Sequence, residues 1–355
     1  MRKYKNLNTF IKIIFFLGKS ELEKSDSINI LAKILFDNNN VFELKPTTWT
    51  EVLKKSSSQL VLPSFYISLL KQKKINANKE LLNYCKKIYK INLNRNKQLL
   101  IELKEISSIF NKNNINYIFL KGSALVISKC YIDLDRMIGD IDILVDKKDL
   151  NKAYKLLKKA NYNSKTNTIF SYQKHYPRLV NKSKLFAVEL HKNLLDNDNS
   201  LLISEDILNS KQNFDNMPVA SAYFQALNII YNYQINDFGY NTCEVSLKAL
   251  ADINELYSKF NIKSLPNNKY VRGFHFFVNK NNKKISILRN SDLRENKING
   301  LRILLKRKYK LYNIIDYKLS YLFSKSNKRF KQILEFMKNN EFRYYLVKSI
   351  FNRNK

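Results

Sequence analysis

Residues 140–145 read Asp-Ile-Asp-Ile-Leu-Val. Alternation of this kind is the signature of a β-strand, whose successive side chains point to opposite faces. Asp140 and Asp142 therefore project together, while Ile141, Ile143 and Val145 share the opposite face and suit burial against a core. A chain carrying this segment needs a sheet. It must also manage two carboxylates side by side, which repel each other. A divalent cation offsets that repulsion, and hard oxygen donors suit Mg²⁺. The alternative is a solvated strand end that carries two Asp.

The surrounding sequence changes character twice. Residues 1 to about 110 have the helical period, with apolar side chains at three- and four-residue steps such as Leu99, Leu103, Ile106 and Phe110. Pro46 breaks this region, and Thr47 or Thr48 is the expected cap of a helix carrying Trp49 and Val52. After Asn111–Asn114 the pattern becomes mixed. Tyr117–Leu120 is a short apolar run, followed by Lys121-Gly122-Ser123 and a helical piece from Ala124 to about Cys130. A polar loop then holds Asp133, Asp135 and Arg136. Beyond the Asp-Ile-Asp strand, Asp149 is the expected cap of a helix with the stripe Leu150, Ala153, Leu157 and Ala160. Further strands are expected near 168–173 and 185–191. From Ser204 the helical period returns, with Phe224, Leu227 and Tyr231 on one helix and Leu247, Leu250, Ile253 and Leu256 on another. Residues 271–289 read as a hairpin around an Asn-Lys-Asn-Asn turn at 279–282. The expected organisation is α+β: a small mixed-sheet core at 111–200 behind a helical region at 1–110. A helical region at 201–262 and a basic C-terminal region at 263–355 follow.

Chemistry-bearing residues cluster in the mixed core. Gly122-Ser123 sits at a strand–helix junction, where backbone N–H groups can approach a phosphate. The Ser123 hydroxyl and the Lys121 charge would add to that. On the strand Phe186-Ala187-Val188-Glu189-Leu190-His191, Ala187, Glu189 and His191 share one face. Glu189 is a lone carboxylate on an otherwise apolar strand, and burying it unpaired would be costly. A metal shared with Asp140 and Asp142 would account for it, as would pairing with a lysine. Arg136 contacts a phosphate, or else pairs with Asp133 or Asp135. His191 touches a metal-bound water, or hydrogen-bonds a carboxylate from behind. His175 faces the same cleft or is simply packed; His275 reads as structural and Asp252 as a helix-cap residue.

Composition limits the partners. The 355 residues include 63 Lys and Arg against 30 Asp and Glu, a formal charge of +33. Residues 261–355 alone hold 24 basic and 5 acidic side chains, interleaved with aromatics. Such a surface suits nucleic acid, a nucleotide or an anionic membrane face, although Lys and Asn are abundant throughout. Cys85, Cys130 and Cys243 are widely spaced, which fits neither a disulfide framework nor a zinc site, so a reducing, cytoplasmic setting is expected. The apolar run Ile13–Leu17 is too short for a secretory signal, and no stretch reaches transmembrane length.

Taken in order, FLKGSALVISKCYIDLDRMIGDIDILVDKKDLNKAYKLLKKANY and the later Val188-Glu189-Leu190-His191 resemble the uncharacterised nucleotidyltransferase family of the DNA polymerase β-like superfamily. Tyr172-Gln173-Lys174-His175-Tyr176-Pro177 is similar to an upstream His-rich strand of that family. The likeness is clear over about 115–195 and looser over the helical flanks, including Trp49 and Leu250-Ala251-Asp252-Ile253. It implies a nucleotidyltransferase that binds a nucleoside triphosphate and Mg²⁺, with Mn²⁺ able to substitute. A nucleoside monophosphate would pass to a hydroxyl acceptor, whether RNA, protein or small molecule, with release of pyrophosphate. Asp140, Asp142 and Glu189 are then the metal ligands, and Glu189 also activates the acceptor. Lys121, Gly122, Ser123, Arg136 and His191 line the nucleotide. Two departures stand out: sixteen residues separate Ser123 from Asp140, and Asn161 replaces the Gly expected before Tyr162. The competing reading is a basic RNA-binding or toxin–antitoxin-type protein that keeps the fold with altered or no catalysis. A role in surface-polysaccharide or peptide modification is also open.

Overall fold

The computed structural model describes residues 27–164, 174–195, 199–244, 246–281, 287, 293–340 and 343–344. The strand expected at 168–173 lies outside these residues. In chain order the helices that matter here are α1 (Pro46–Ser58), α2 (Leu62–Leu70), α3 (Lys79–Lys112), α4 (Lys121–Ile127), α5 (Leu150–Lys159) and α6 (Ser204–Asn209). They continue as α7 (Ala222–Tyr231), α8 (Leu247–Lys259), α9 (Lys269–Asn281), α10 (Leu293–Lys308) and α11 (Lys310–Lys338). The strands are β1 (Tyr117–Phe119), β2 (Asp140–Val145), β3 (Asn163–Ser164), β4 (Leu179–Val180), β5 (Ala187–His191), β6 (Gln212–Phe214) and β7 (Met217–Val219). A sheet flanked by many helices bears out the α+β reading. No described helix is long and apolar enough to cross a membrane.

Two compact units divide the chain. The first comprises the described residues up to Lys97, with Lys129–Met137 and Ile229–Ser320. It is almost entirely helical, apart from a two-residue parallel pairing of Val41–Phe42 with Lys74–Ile75. Trp49 and Val52 are buried on α1, as the sequence implied. The cap differs: Lys45 occupies the cap position without a side-chain bond, and Pro46 opens the helix. Proline suits that place because its φ is preset and its missing N–H would be unpaired anyway. Thr47 and Thr48 fall inside the helix.

On α8, Leu247, Leu250, Ile253 and Leu256 are buried, and Ser246 Oγ accepts the Ala249 N–H at 3.2 Å. The hairpin expected at 271–289 is instead helix α9 as far as Asn281. Val271, Phe274, Phe277 and Val278 are buried at steps of three and four. Their helical period outweighs the short aromatic alternation at Phe274 and Phe276. His275 on this helix is buried and accepts the Asn279 amide at 2.8 Å.

The second unit comprises Gln98–Ser128, Ile138–Asn228 and the described residues beyond Ser320. It holds a seven-stranded mixed sheet in the order β3-β4-β5-β2-β1-β7-β6. At its centre β2 pairs antiparallel with β1 and parallel with β5. Ile141, Ile143, Val145, Val188 and Leu190 are all at most 1% exposed and form the apolar face of this pair. The stripe Leu99, Leu103, Ile106 and Phe110 of α3 is equally buried.

Three local expectations change. Residues 212–219 form the β6–β7 hairpin rather than a helix. Asp215 and Asn216 take φ of 50° and 62°, the backbone of a tight two-residue turn that these residues tolerate best after glycine. Asp149 does not cap α5 with its side chain; its carboxylate accepts the Asn116 N–H at 2.8 Å, just before β1. Helix α4 begins at Lys121, so Gly122 and Ser123 lie in its first turn rather than before it. Asn161 does take the left-handed backbone, at φ 64°.

Candidate active site

The parallel register of β2 and β5 sets Asp140 against Ala187, Asp142 against Glu189 and Leu144 against His191. Paired residues of neighbouring strands share a face, so Asp140, Asp142, Glu189 and His191 all rise on the side away from the isoleucines. The sequence placed each carboxylate on a strand face. The register puts those faces on the same side of the sheet.

Three side chains approach most closely. His191 Nε2 is 2.8 Å from Asp142 Oδ1 and 3.8 Å from Glu189 Oε2. Asp142, Glu189 and His191 each offer one ligand atom, all within 4.8 Å of one another. Lys121, left-handed at φ 50°, brings Nζ to 2.8 Å from the same Asp142 oxygen. Around the rim His175 Nε2 lies 3.9 Å from Glu189 Oε2, and Arg178 Nη2 lies 4.0 Å from Asp140 Oδ2. His175 reaches the cleft because its backbone bridges to His191. Arg178 was not singled out in the sequence, where no spacing rule links it to Asp140.

The electrostatics follow burial. Asp142 is 4% exposed. Burial pushes its pKa up, yet Lys121 and His191 outweigh that and hold it well below the usual carboxylate range. Burial lowers the Lys121 ammonium, but Asp142 more than restores it, so its pKa ends raised. His191 is pushed down, because its burial outweighs the pull of Asp142. Asp140 is raised by burial and by the charges of Asp142 and Glu189, against the weaker help of Lys121 and Arg178. A compact group of two carboxylates and an imidazole, with a third carboxylate beside it, fits a divalent cation.

The other expected nucleotide-binding residues are less open. Gly122 and Ser123 are buried, and the Ser123 hydroxyl has no hydrogen-bond partner among the described residues. Arg136 belongs to the first unit. There its guanidinium grips Asp252, with Nε to Oδ1 at 2.7 Å and Nη2 to Oδ2 at 2.8 Å. The ion-pair alternative for Arg136 is therefore realised, with Asp252 in place of Asp133 or Asp135. Glu102 is a further missed residue: its carboxylate accepts the N–H groups of Leu185 and Phe186 at 2.9 and 3.3 Å, steering the chain into β5.

The model of a family described as uncharacterised nucleotidyltransferase matches residues 45–266. The chain belongs to this family. The nucleotidyltransferase match takes in β1 to β7, every side chain of the β2–β5 face, and both Arg136 and Asp252. No curated protein matches the chain.

The first unit of this family member has a recess of its own, of about 890 Å³. Asp133, Asp135, Glu255, Lys71 and Lys259 contribute its charged lining. Burial pushes Asp135 and Glu255 up, and neighbouring carboxylates add to the shift.

Proposed function

We propose that the β2–β5 face transfers a nucleoside monophosphate from a nucleoside triphosphate to a hydroxyl acceptor. The observation that carries this reading is the pairing of Asp142 with Glu189 across parallel strands, with Asp140 two residues earlier on the same face. Membership of a nucleotidyltransferase family supports it. Asp142, Glu189 and Asp140 would hold a divalent cation. When bound, such a cation offsets charge on the triphosphate and on both the attacking and leaving oxygens.

The protein's own groups do the rest. Lys121 supplies a fixed positive charge for phosphate oxygens from the start of α4. Glu189 is 18% exposed, against 4% for Asp142, so it is the carboxylate that an incoming acceptor can meet. It takes the proton from the acceptor hydroxyl. The acceptor oxygen bonds to the α-phosphorus, the bond from that phosphorus to the bridging oxygen breaks, and pyrophosphate leaves.

The test uses nucleoside triphosphates labelled at the α- or γ-phosphorus, incubated with divalent cation and with tRNA, the protein itself or small hydroxyl compounds. Label from the α-position should enter the acceptor, and label from the γ-position should leave as pyrophosphate. Equal behaviour of the wild type and the Asp140→Ala/Asp142→Ala variant would reject the reading. So would capture of the γ-label by the acceptor.

A further inference from the structure

We infer that helix α11 is a docking surface for an anionic lipid bilayer, on which it lies lengthwise with an apolar stripe at the headgroup boundary. This role is independent of the chemistry at the β2–β5 face.

The first observation is an exposed stripe along the whole helix. Leu311, Ile315, Leu319, Leu322, Ile333 and Met337 are between 47% and 70% exposed. They follow one another at steps of four, four, three, eleven and four. At about 100° per residue, those steps keep all six within an arc of about 80°. Single exposed apolar side chains are ordinary on a protein surface, but a strip of them along one helix marks an interaction site. The helix has 29 residues, so it is about 43 Å long and whatever covers the stripe must be extended.

The second observation is what holds the other side of α11. Arg302 on α10 donates to both oxygens of Asp316 at 2.9 Å, and Lys306 Nζ lies 3.0 Å from Asp316. Arg302 also donates to Ser320 Oγ at 2.8 Å. Asp316 and Ser320 lie about 100° and 140° round the helix from the middle of the stripe. These bonds fix that side of α11 against α10, which leaves the stripe facing outward. They also occupy Asp316, one of only two acidic residues on a helix with seven Lys and Arg. Lys318 and Arg329 are exposed and fall within the arc of the stripe, which contains no acidic residue.

The combination of charge and apolarity then decides the occupant. An anionic bilayer meets both at once: its acyl chains take the aliphatic side chains, and its headgroups take the cations. A second copy of the chain would set Lys318 and Arg329 of one helix against an equally positive stripe, with no carboxylate to answer them. RNA would answer the charge, but it is held by stacking on aromatic or planar side chains and offers no apolar phase to Leu and Ile. No described helix, α11 included, is long and apolar enough to cross a membrane, so α11 lies on the surface rather than spanning it.

The experiment sediments the full chain with vesicles of phosphatidylcholine alone, or of phosphatidylcholine mixed with phosphatidylglycerol, over a range of lipid concentrations. The wild type should bind the mixed vesicles about tenfold or more tightly than the neutral ones, and added salt should weaken the binding. Leu319→Gln/Ile333→Gln and, separately, Lys318→Gln/Arg329→Gln should each lower the affinity for mixed vesicles about tenfold or more. All four side chains are exposed and glutamine is a good helix former, so thermal unfolding should be unchanged in both variants. Equal binding to both kinds of vesicle, or full retention of binding by either variant, would overturn the inference. So would a wild type that ignores vesicles and instead forms a dimer that the Leu319→Gln/Ile333→Gln variant loses, which would give the stripe to a second copy. Binding of single-stranded RNA without binding of vesicles would overturn it in favour of nucleic acid.

Discussion

Arg136 and Asp252 form a two-pronged ion pair in the first unit, with side chains only 8% and 6% exposed. The Tyr131 hydroxyl donates to the same Asp252 oxygen at 2.7 Å. The Arg136 carbonyl accepts the side-chain amides of Asn92 and Asn96 at 3.3 and 2.8 Å. Asp252 is therefore the anchor of a buried network joining α3, α8 and the 129–137 loop. Removing one partner strands a buried charge, which costs far more than the pair contributes. Asp252→Ala should lower stability by about 3–5 kcal/mol in urea unfolding of the full chain. A loss under about 1 kcal/mol would show that solvent reaches the pair.

Glu102 offers a second test, in the sheet unit. Its two accepted N–H groups sit immediately before β5, the strand that carries Glu189 and His191. Glu102→Ala removes the acceptor of both donors, of which the Phe186 N–H is buried, at a cost of about 1–3 kcal/mol. Glu102→Gln keeps an acceptor and should recover at least half of that. Equal loss in both variants would mean that the charge, not the hydrogen bonding, matters.

The Lys121 ammonium offsets the charge of Asp142, and His191 hydrogen-bonds the same oxygen. The folded-state pKa of Asp142 is depressed, so the stability it contributes is present above the unfolded value near 4. That stability is lost as pH falls towards the folded value. Lys121→Ala should therefore lower the Tm of the metal-free chain at pH 7. Added Mn²⁺ should raise the Tm of this variant more than that of the wild type, since the ion takes over the missing positive charge. Identical shifts in the two proteins would contradict this account.

The recess of the first unit predicts the opposite sign. Asp135 and Glu255 are raised in the folded chain by burial, so their ionised forms oppose folding at neutral pH. Glu255→Gln should accordingly stabilise the protein at pH 7. The gain should shrink as pH falls through the folded value and vanish well below the unfolded value of about 4.3, where the wild-type carboxyl is protonated in both states. Thermal unfolding at several pH values checks it; a pH-independent effect would point to packing instead.

On catalysis, Asp142→Asn should keep the fold and lose transfer from α-labelled nucleoside triphosphate on the order of 10³-fold, equivalent to about 4 kcal/mol of transition-state stabilisation. Retention of more than a tenth of the wild-type rate would remove Asp142 from the chemistry.

Local periodicity was enough to read much of this protein. The alternation at 140–145 specifies a strand with carboxylates on one face, because side-chain direction in a strand depends only on position parity. The three- and four-residue steps on α3 and α8 mark their buried stripes for the same kind of reason. Where two periods compete over a few residues, as at Phe274–Phe277, packing chose the helix. In the 212–219 hairpin the decisive signal was two adjacent left-handed turn residues, Asp215 and Asn216, rather than any period. Tertiary structure alone settled the partners. Only the parallel register of β2 with β5 could set Glu189 beside Asp142, since pairing depends on which strands meet and not on the sequence of either. The same holds for His175 meeting Glu189 and for Arg136 finding Asp252, 116 residues away. Charge says that a buried arginine needs a carboxylate, and only the folded chain determines which one is there.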